Sequence, residues 1–278
     1  MDKLYFGTGG VPHSSASRST AAGIERIAAL GLGCMEIEFV RGVKMSEEGA
    51  REVAQTAAAS GIKLSVHAPY YINFNAHDTA ILEASMGRLL QSCRIGAVCG
   101  AVSVVVHSAF YLGDPPKEVF KRVKQKYEEA VRQLRTEKIY ITIRPEVMGK
   151  GSEFGSLDEV LALCSEVEGL EPGIDFAHLH AAEGKNNSYR EFSLILDKVE
   201  QRLGPSALQN LHIHCSGIKY GPKGELSHLN LKESDLAFGE LIQALRDRES
   251  AGLVICESPS LEDDALLLQK TFTLAKRP

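Results

Sequence analysis

Short apolar runs alternate with longer amphipathic stretches along the whole chain. Residues 4–7 are apolar and end in Gly-Thr-Gly-Gly, as a strand entering a loop does. Ile24, Ile27, Ala28 and Leu30 then fall on one face of a helix that Ser19 or Thr20 can cap and Gly31 and Gly33 stop. The alternation repeats. Strands are expected at 34–39, 62–66, 101–106, 139–143, 173–177, 211–214 and 253–256. Helices are expected at 46–60, 77–99, 115–134, 157–166, 188–203, 235–249 and 261–274.

Eight strand–helix units in sequence imply parallel pairing, because each helix carries the chain back across the sheet. Eight units in about 250 residues match a single (β/α)8 TIM barrel spanning residues 1–278. A doubly wound open sheet is the alternative. It usually has fewer units and a glycine-rich phosphate loop, and no G-x-G-x-x-G follows the first strand.

With 44% hydrophobic and 24% charged residues, the 278-residue chain can build a large core. The net charge of −5 advertises no global basic field. Six scattered cysteines form no C-x-x-C pair and read as reduced, buried small hydrophobes. No apolar run approaches the ~20 residues of a membrane span, and the N-terminus shows no signal-peptide core. A cytoplasmic protein without membrane attachment is expected.

Barrel active sites lie at the C-terminal ends of the strands. There the sequence places His67, His107, Glu146, Asp175 with His178, His212 with His214, and Glu257. One strand-end histidine is usually structural. Six successive strands ending in metal-competent side chains point instead to metal ions, since buried unpaired carboxylates cost several kcal/mol. The ligands outnumber the needs of one tetrahedral ion, so two or three ions fit better. Zinc suits the donors, with Mn²⁺ as the other candidate.

At this point the chain resembles endonuclease IV, the zinc-dependent apurinic/apyrimidinic endonucleases of the xylose-isomerase-like barrel superfamily. The matching pieces are His67-Ala68-Pro69-Tyr70-Tyr71-Ile72-Asn73, His107, Glu146 with Gly149 and Gly151, Asp175-Phe176-Ala177-His178, Leu211-His212-Ile213-His214, His228 and Glu257-Ser258-Pro259. The resemblance implies a phosphodiesterase that cleaves double-stranded DNA at abasic sites by attack of metal-activated water on phosphorus. It implies that His67, His107 and Glu146 hold one zinc, that Glu146 bridges to a second held by Asp175, His212 and Glu257, and that His178 and His228 hold a third. Glu146 and Glu257 would be the catalytic carboxylates. Tyr70, Tyr71 and Arg41 would enter the DNA, and Lys44, Lys150, Lys219 and Lys223 stand in loops that can meet phosphates. A monomer is expected.

The chain departs from that pattern in several places. The family's Asp two residues before His228 is here Leu226, with Glu225 the nearest carboxylate; the first strand ends at Gly9 instead of near a His, although His13 follows. Glu146 sits one residue closer to its glycines. His214 has no assigned role and reads as an inward barrel residue, His180 as a surface or outer-shell residue, and His77 as a helix N-terminal one. Two rivals remain. A single-metal sugar isomerase or epimerase would use Glu146, Asp175, His212 and Glu257 but would not need His67, His107, His178 and His228. A non-catalytic metal-binding barrel is the other.

Overall fold

The computed structural model describes residues 1–275. Its elements begin β1 (Leu4–Gly9), α1 (Thr20–Ala29), β2 (Cys34–Glu38), α2 (Glu47–Ser60), β3 (Lys63–His67), α3 (Thr79–Val98) and β4 (Ser103–Val106). They continue with β5 (Ala109–Phe110), α4 (Pro116–Thr136), β6 (Thr142–Pro145), β7 (Glu153–Phe154), α5 (Leu157–Glu166), β8 (Gly173–Asp175) and α6 (Phe176–Glu183). The last are α7 (Tyr189–Leu203), β9 (Leu211–Cys215), β10 (Gly217–Gly221), β11 (Gly224–Leu229), α8 (Phe238–Asp247), β12 (Gly252–Cys256) and α9 (Glu262–Leu274).

Eight strands form one parallel sheet in the order β6-β4-β3-β2-β1-β12-β9-β8. Two single parallel bridges, Ile143 to Leu170 and Glu146 to Gly173, close it into the expected (β/α)8 barrel. Pro145 explains why that wall is thin. Along β6 the amides of Ile143 and Val147 face β8, donating to Gly169 O and Gly173 O, whereas Glu146 N faces β4 and donates to Val106 O. By alternation the position of Pro145 also faces β8, and proline has no N–H to give.

The helices form where apolar residues recur at helical spacing. On α4, Val119, Val123, Tyr127, Ala130 and Leu134 are buried along one stripe behind a Pro115–Pro116 start. Burying each large one contributes roughly 1.5–3 kcal/mol. The barrel floor is plugged by Arg144, 1% exposed, which donates to Pro172 O and Asn210 O and pairs with Glu171 at 2.7 Å.

Two differences from the sequence reading matter for function. The strand expected at 173–177 stops at Asp175, whose carboxylate accepts the backbone N–H of His178 at 2.7 Å and caps α6. The apolar run continues across that boundary, so periodicity cannot mark it. The stretch after β9, expected as loop, is the antiparallel ribbon β10–β11. Among the described residues no helix is long and apolar enough to cross a membrane.

Candidate metal centre at the barrel mouth

Glu146, immediately after β6 and 1% exposed, stands at the middle of the mouth. Its two oxygens face different partners. Oε2 lies 3.2 Å from His67 Nε2 and 2.9 Å from His107 Nε2. Oε1 lies 3.1 Å from His214 Nδ1 and 3.5 Å from His178 Nδ1. His67 ends β3 and His107 follows β4, so three neighbouring strands deliver the first group by alternation alone. His67 Nδ1 is tied to Ala68 O at 2.8 Å, which aims Nε2 at the centre.

Ligand-capable atoms of Glu146, Asp175, His214 and Glu257 form a second group, within 4.8 Å of one another. The sequence reading put His212 there. In the structure His214 occupies that place, 3.4 Å from Glu257 Oε2. His212 lies in the group of Glu36 and His214, with Nε2 3.0 Å from Glu36 Oε2. Both histidines point inward because they are two apart on β9; they differ in height along the strand, which alternation cannot report.

A third group gathers Asp175, His178 and His228. Glu225 joins it, with its carboxylate oxygens 3.5 Å from His178 Nε2 and 3.8 Å from His228 Nε2. Leu226 points away and is 62% exposed. The ribbon shows why. Lys219 pairs with Ser227 but Tyr220 with Glu225, so Leu226 is an extra residue absorbed by a β-bulge. Glu225 and His228, three apart in sequence, thereby face the same side. Gly149 leaves room for His178 and Glu225, since a Cβ there would meet His178 Cδ2 at 3.1 Å and Glu225 Cβ at 3.2 Å.

Glu36 and Glu38 of β2 were missed in the sequence. Glu36 is fully buried and accepts from Ser65, His212 and His214. Glu38 has both oxygens buried without a partner, and Glu36, Glu38 and Glu257 form another close group. Two carboxylates inside the apolar run 34–39 were the available signal, because charge is rarely buried unpaired. Gly9 keeps room above them: a Cβ would meet Glu257 Cγ at 3.2 Å and Glu38 Oε1 at 3.5 Å.

Electrostatics follow from this crowding. Burial opposes charge on Glu146, yet His107 and His214 hold it well below the usual carboxylate range. Burial likewise opposes charge on His67, but Glu146 and Glu38 lift it to about 10. His178 is lifted to about 9, against its burial, by Asp175, Glu146 and Glu225. Burial raises Asp175 and pushes Glu38 up to about 8. Without cations His67 and His178 therefore carry protons that balance the carboxylates, whereas burial pushes His212 down to about 4.

The residues fit metal ions. Donors around one tetrahedral zinc stand about 3.3 Å apart, given bonds of ~2.0–2.1 Å. The contacts of Glu146 with His67, His107 and His214 lie between 2.9 and 3.2 Å. Asp175 is fully buried, and its Oδ2 has no hydrogen-bond partner.

At the rim, Tyr70 is 40% exposed and packs its ring 4.9 Å from His67 and 5.0 Å from His107. Tyr71 is 59% exposed. Arg41, Lys44, Lys219 and Lys223 are exposed, whereas Lys150 pairs with Glu225 at 3.2 Å. His13 bonds Pro259 O, and the exposed His77 pairs with Asp114. His180 is buried, not at the surface: it joins Asp235 and meets the Tyr220 ring edge to face, because α6 packs against the ribbon.

Residues 24–273 match the model of the xylose isomerase-like TIM barrel family. An uncharacterized protein of Methanocaldococcus jannaschii is 40% identical over 97% of both chains. A probable endonuclease 4 of Mycobacterium leprae is 26% identical over 80% of this chain and 84% of its own. In structure, endonuclease IV from Thermus thermophilus aligns with a TM-score of 0.74 at 22% identity, covering 96% of this chain and 97% of that one. A D-tagatose 3-epimerase-like protein aligns with a TM-score of 0.73 at 17% identity, covering 98% and 96%.

Proposed function

The chain belongs to the xylose isomerase-like TIM barrel family, and from that premise we propose that it is a zinc-dependent phosphodiesterase acting on double-stranded DNA at abasic sites. One observation carries the reading. The carboxylate of Glu146 turns one oxygen to His67 and His107 and the other to His214. A carboxylate so placed suits two ions side by side, which a phosphodiester with an attacking and a leaving oxygen can use. The relatives named endonuclease 4 support the same class.

In this reading His67, His107 and Glu146 hold one ion. Glu146, Asp175, His214 and Glu257 hold a second, and His178, His228 and Glu225 a third. When bound, such ions polarise the phosphate, lower the pKa of water and stabilise the leaving alkoxide. Glu257 opens to the mouth, its side chain 13% exposed, and orients the attacking water. Tyr70 walls the His67–His107 side and keeps bulk water from it. Tyr71, the more exposed ring, and Arg41 engage the DNA, and Lys44, Lys219 and Lys223 meet its phosphates.

A second reading has its own support. The group of Glu146, Asp175, His214 and Glu257 could alone serve a single-metal sugar epimerase, and the epimerase-like neighbour has nearly the same TM-score as the nuclease. Metal analysis combined with two assays separates them. Two or three zinc per chain and nicking of an abasic duplex are expected. One ion, no nicking and epimerisation of a ketose would replace this reading with the sugar enzyme.

A further inference from the structure

Two histidines of β9 point into the barrel, yet only one reaches the carboxylates at the mouth. What separates them is Glu36, a residue outside the proposed ligand set. It is fully buried on β2, and both its oxygens are engaged. Oε2 accepts from Ser65 Oγ at 2.7 Å and lies 3.0 Å from His212 Nε2. Oε1 lies 2.8 Å from His214 Nε2. Ser65 and His212 fix one side of the carboxylate, so the other side is aimed at His214.

An imidazole donates from one nitrogen and offers a lone pair on the other. With a cation held at Nδ1 in place of a proton, the carboxylate 2.8 Å from Nε2 would keep the ring's remaining proton on that nitrogen. Nδ1 is the nitrogen 3.1 Å from Glu146 and 3.4 Å from Glu257. His212 has the opposite outcome. Its Nε2 is spent on the same Glu36, and its Nδ1 is 3.5 Å from Ser103 Oγ, on the side away from the mouth.

We infer that Glu36 is the positioning residue that makes His214, through Nδ1, and not His212, a ligand of the ion shared with Glu146, Asp175 and Glu257. The inference rests on the metal reading above. Glu36 touches neither substrate nor ion; it acts by fixing the tautomer and tilt of one ring, as carboxylates behind ligating histidines do. The close approach of the two Nε2 atoms, 3.3 Å, is consistent with both donating to one carboxylate.

Three measurements on the full chain test it. In ¹⁵N-histidine NMR of the zinc-loaded protein, His214 should show a bound Nδ1 and a protonated Nε2; a bound Nε2 overturns the inference without any mutation. In zinc titrations against a chromophoric chelator, Glu36→Leu should weaken one ion about 10–100-fold and leave the His67–His107 ion unchanged. Glu36→Gln, which keeps one acceptor oxygen, should recover part of that affinity and guards against misfolding of the leucine variant. His212→Phe should keep the full zinc count. Unchanged affinity in folded Glu36→Leu, or one ion lost in His212→Phe, removes Glu36 from this role while the metal reading stands. A wild-type chain that binds no zinc overturns both.

Discussion

The two sides of the candidate centre are built by different means. On one side, His67, His107 and Glu146 come from three adjacent parallel strands and arrive at the mouth because each strand ends there. On the other, Glu225 and His228 come from an antiparallel ribbon whose register slips by one residue. The first side is specified by the barrel itself. The second depends on the pairing of the ribbon, where a bulge lets two residues three apart in sequence share one face. Regular strands fix ligands that the fold makes common to many chemistries, and the ribbon is where a chain can add its own.

Glu146 is the part common to both halves, so its loss should cost most. Glu146→Gln is expected to lower strand cleavage on the order of 10³-fold or more, several kcal/mol of barrier, and to reduce the zinc count. Cleavage within tenfold of wild type would mean that the two groups work independently.

Acidity probes both halves at once. His67 on one side is raised to about 10 and His178 on the other to about 9, above the ordinary 6.5. Protonated histidines stabilise the metal-free protein fully below pH 6.5, and that contribution is lost as pH rises through 9 to 10. Metal binding has the opposite sign, because protons must leave. Affinity should rise about tenfold per pH unit for each proton displaced. Calorimetry in buffers of different ionisation enthalpy counts those protons; none released between pH 7 and 9 would contradict the paired arrangement.

The ribbon side predicts a smaller, local loss. Glu225→Gln should weaken one ion about 10–100-fold and spare the others. Equal weakening of every ion would show that the ribbon supports the whole centre.

The smallest effects concern Leu226. Leu226→Asp restores a residue type of the resembled family, but the position faces solvent, so zinc affinity should change by less than about twofold. Deleting Leu226 should also be mild, because Glu225 and His228 then become two apart on a regular strand and keep one face. Loss of the third ion in the deletion variant would mean that the bulge itself holds the geometry.

The sequence made the strand-end side readable. The alternation of apolar runs and amphipathic helices located the eight strands, and His67, His107 and Glu146 stood where those strands end. Three features stayed hidden for physical reasons. His212 and His214 share an inward direction, so only depth distinguishes them, and depth comes from the sheet's stagger. Asp175 is at once strand end and helix cap, inside an apolar run that continues past it. The ribbon carries few turn signals beyond Gly221-Pro222-Lys223-Gly224, and its slip depends on cross-strand pairing that local pattern does not contain. Glu36 and Glu38 were legible in principle, as charges inside a buried strand.

Pro145 has a consequence for how the barrel breathes. It leaves β6 and β8 joined by isolated bridges, and Glu146 and Asp175 stand on opposite lips of that seam. Backbone amides there, Ile143, Val147 and Glu171 among them, bond across isolated bridges instead of a continuous ladder, and faster hydrogen exchange is expected of them than of the paired strands. Ions gripped from both lips would act as a clasp across it, so occupancy of the centre would be felt as slower exchange along one wall of the molecule.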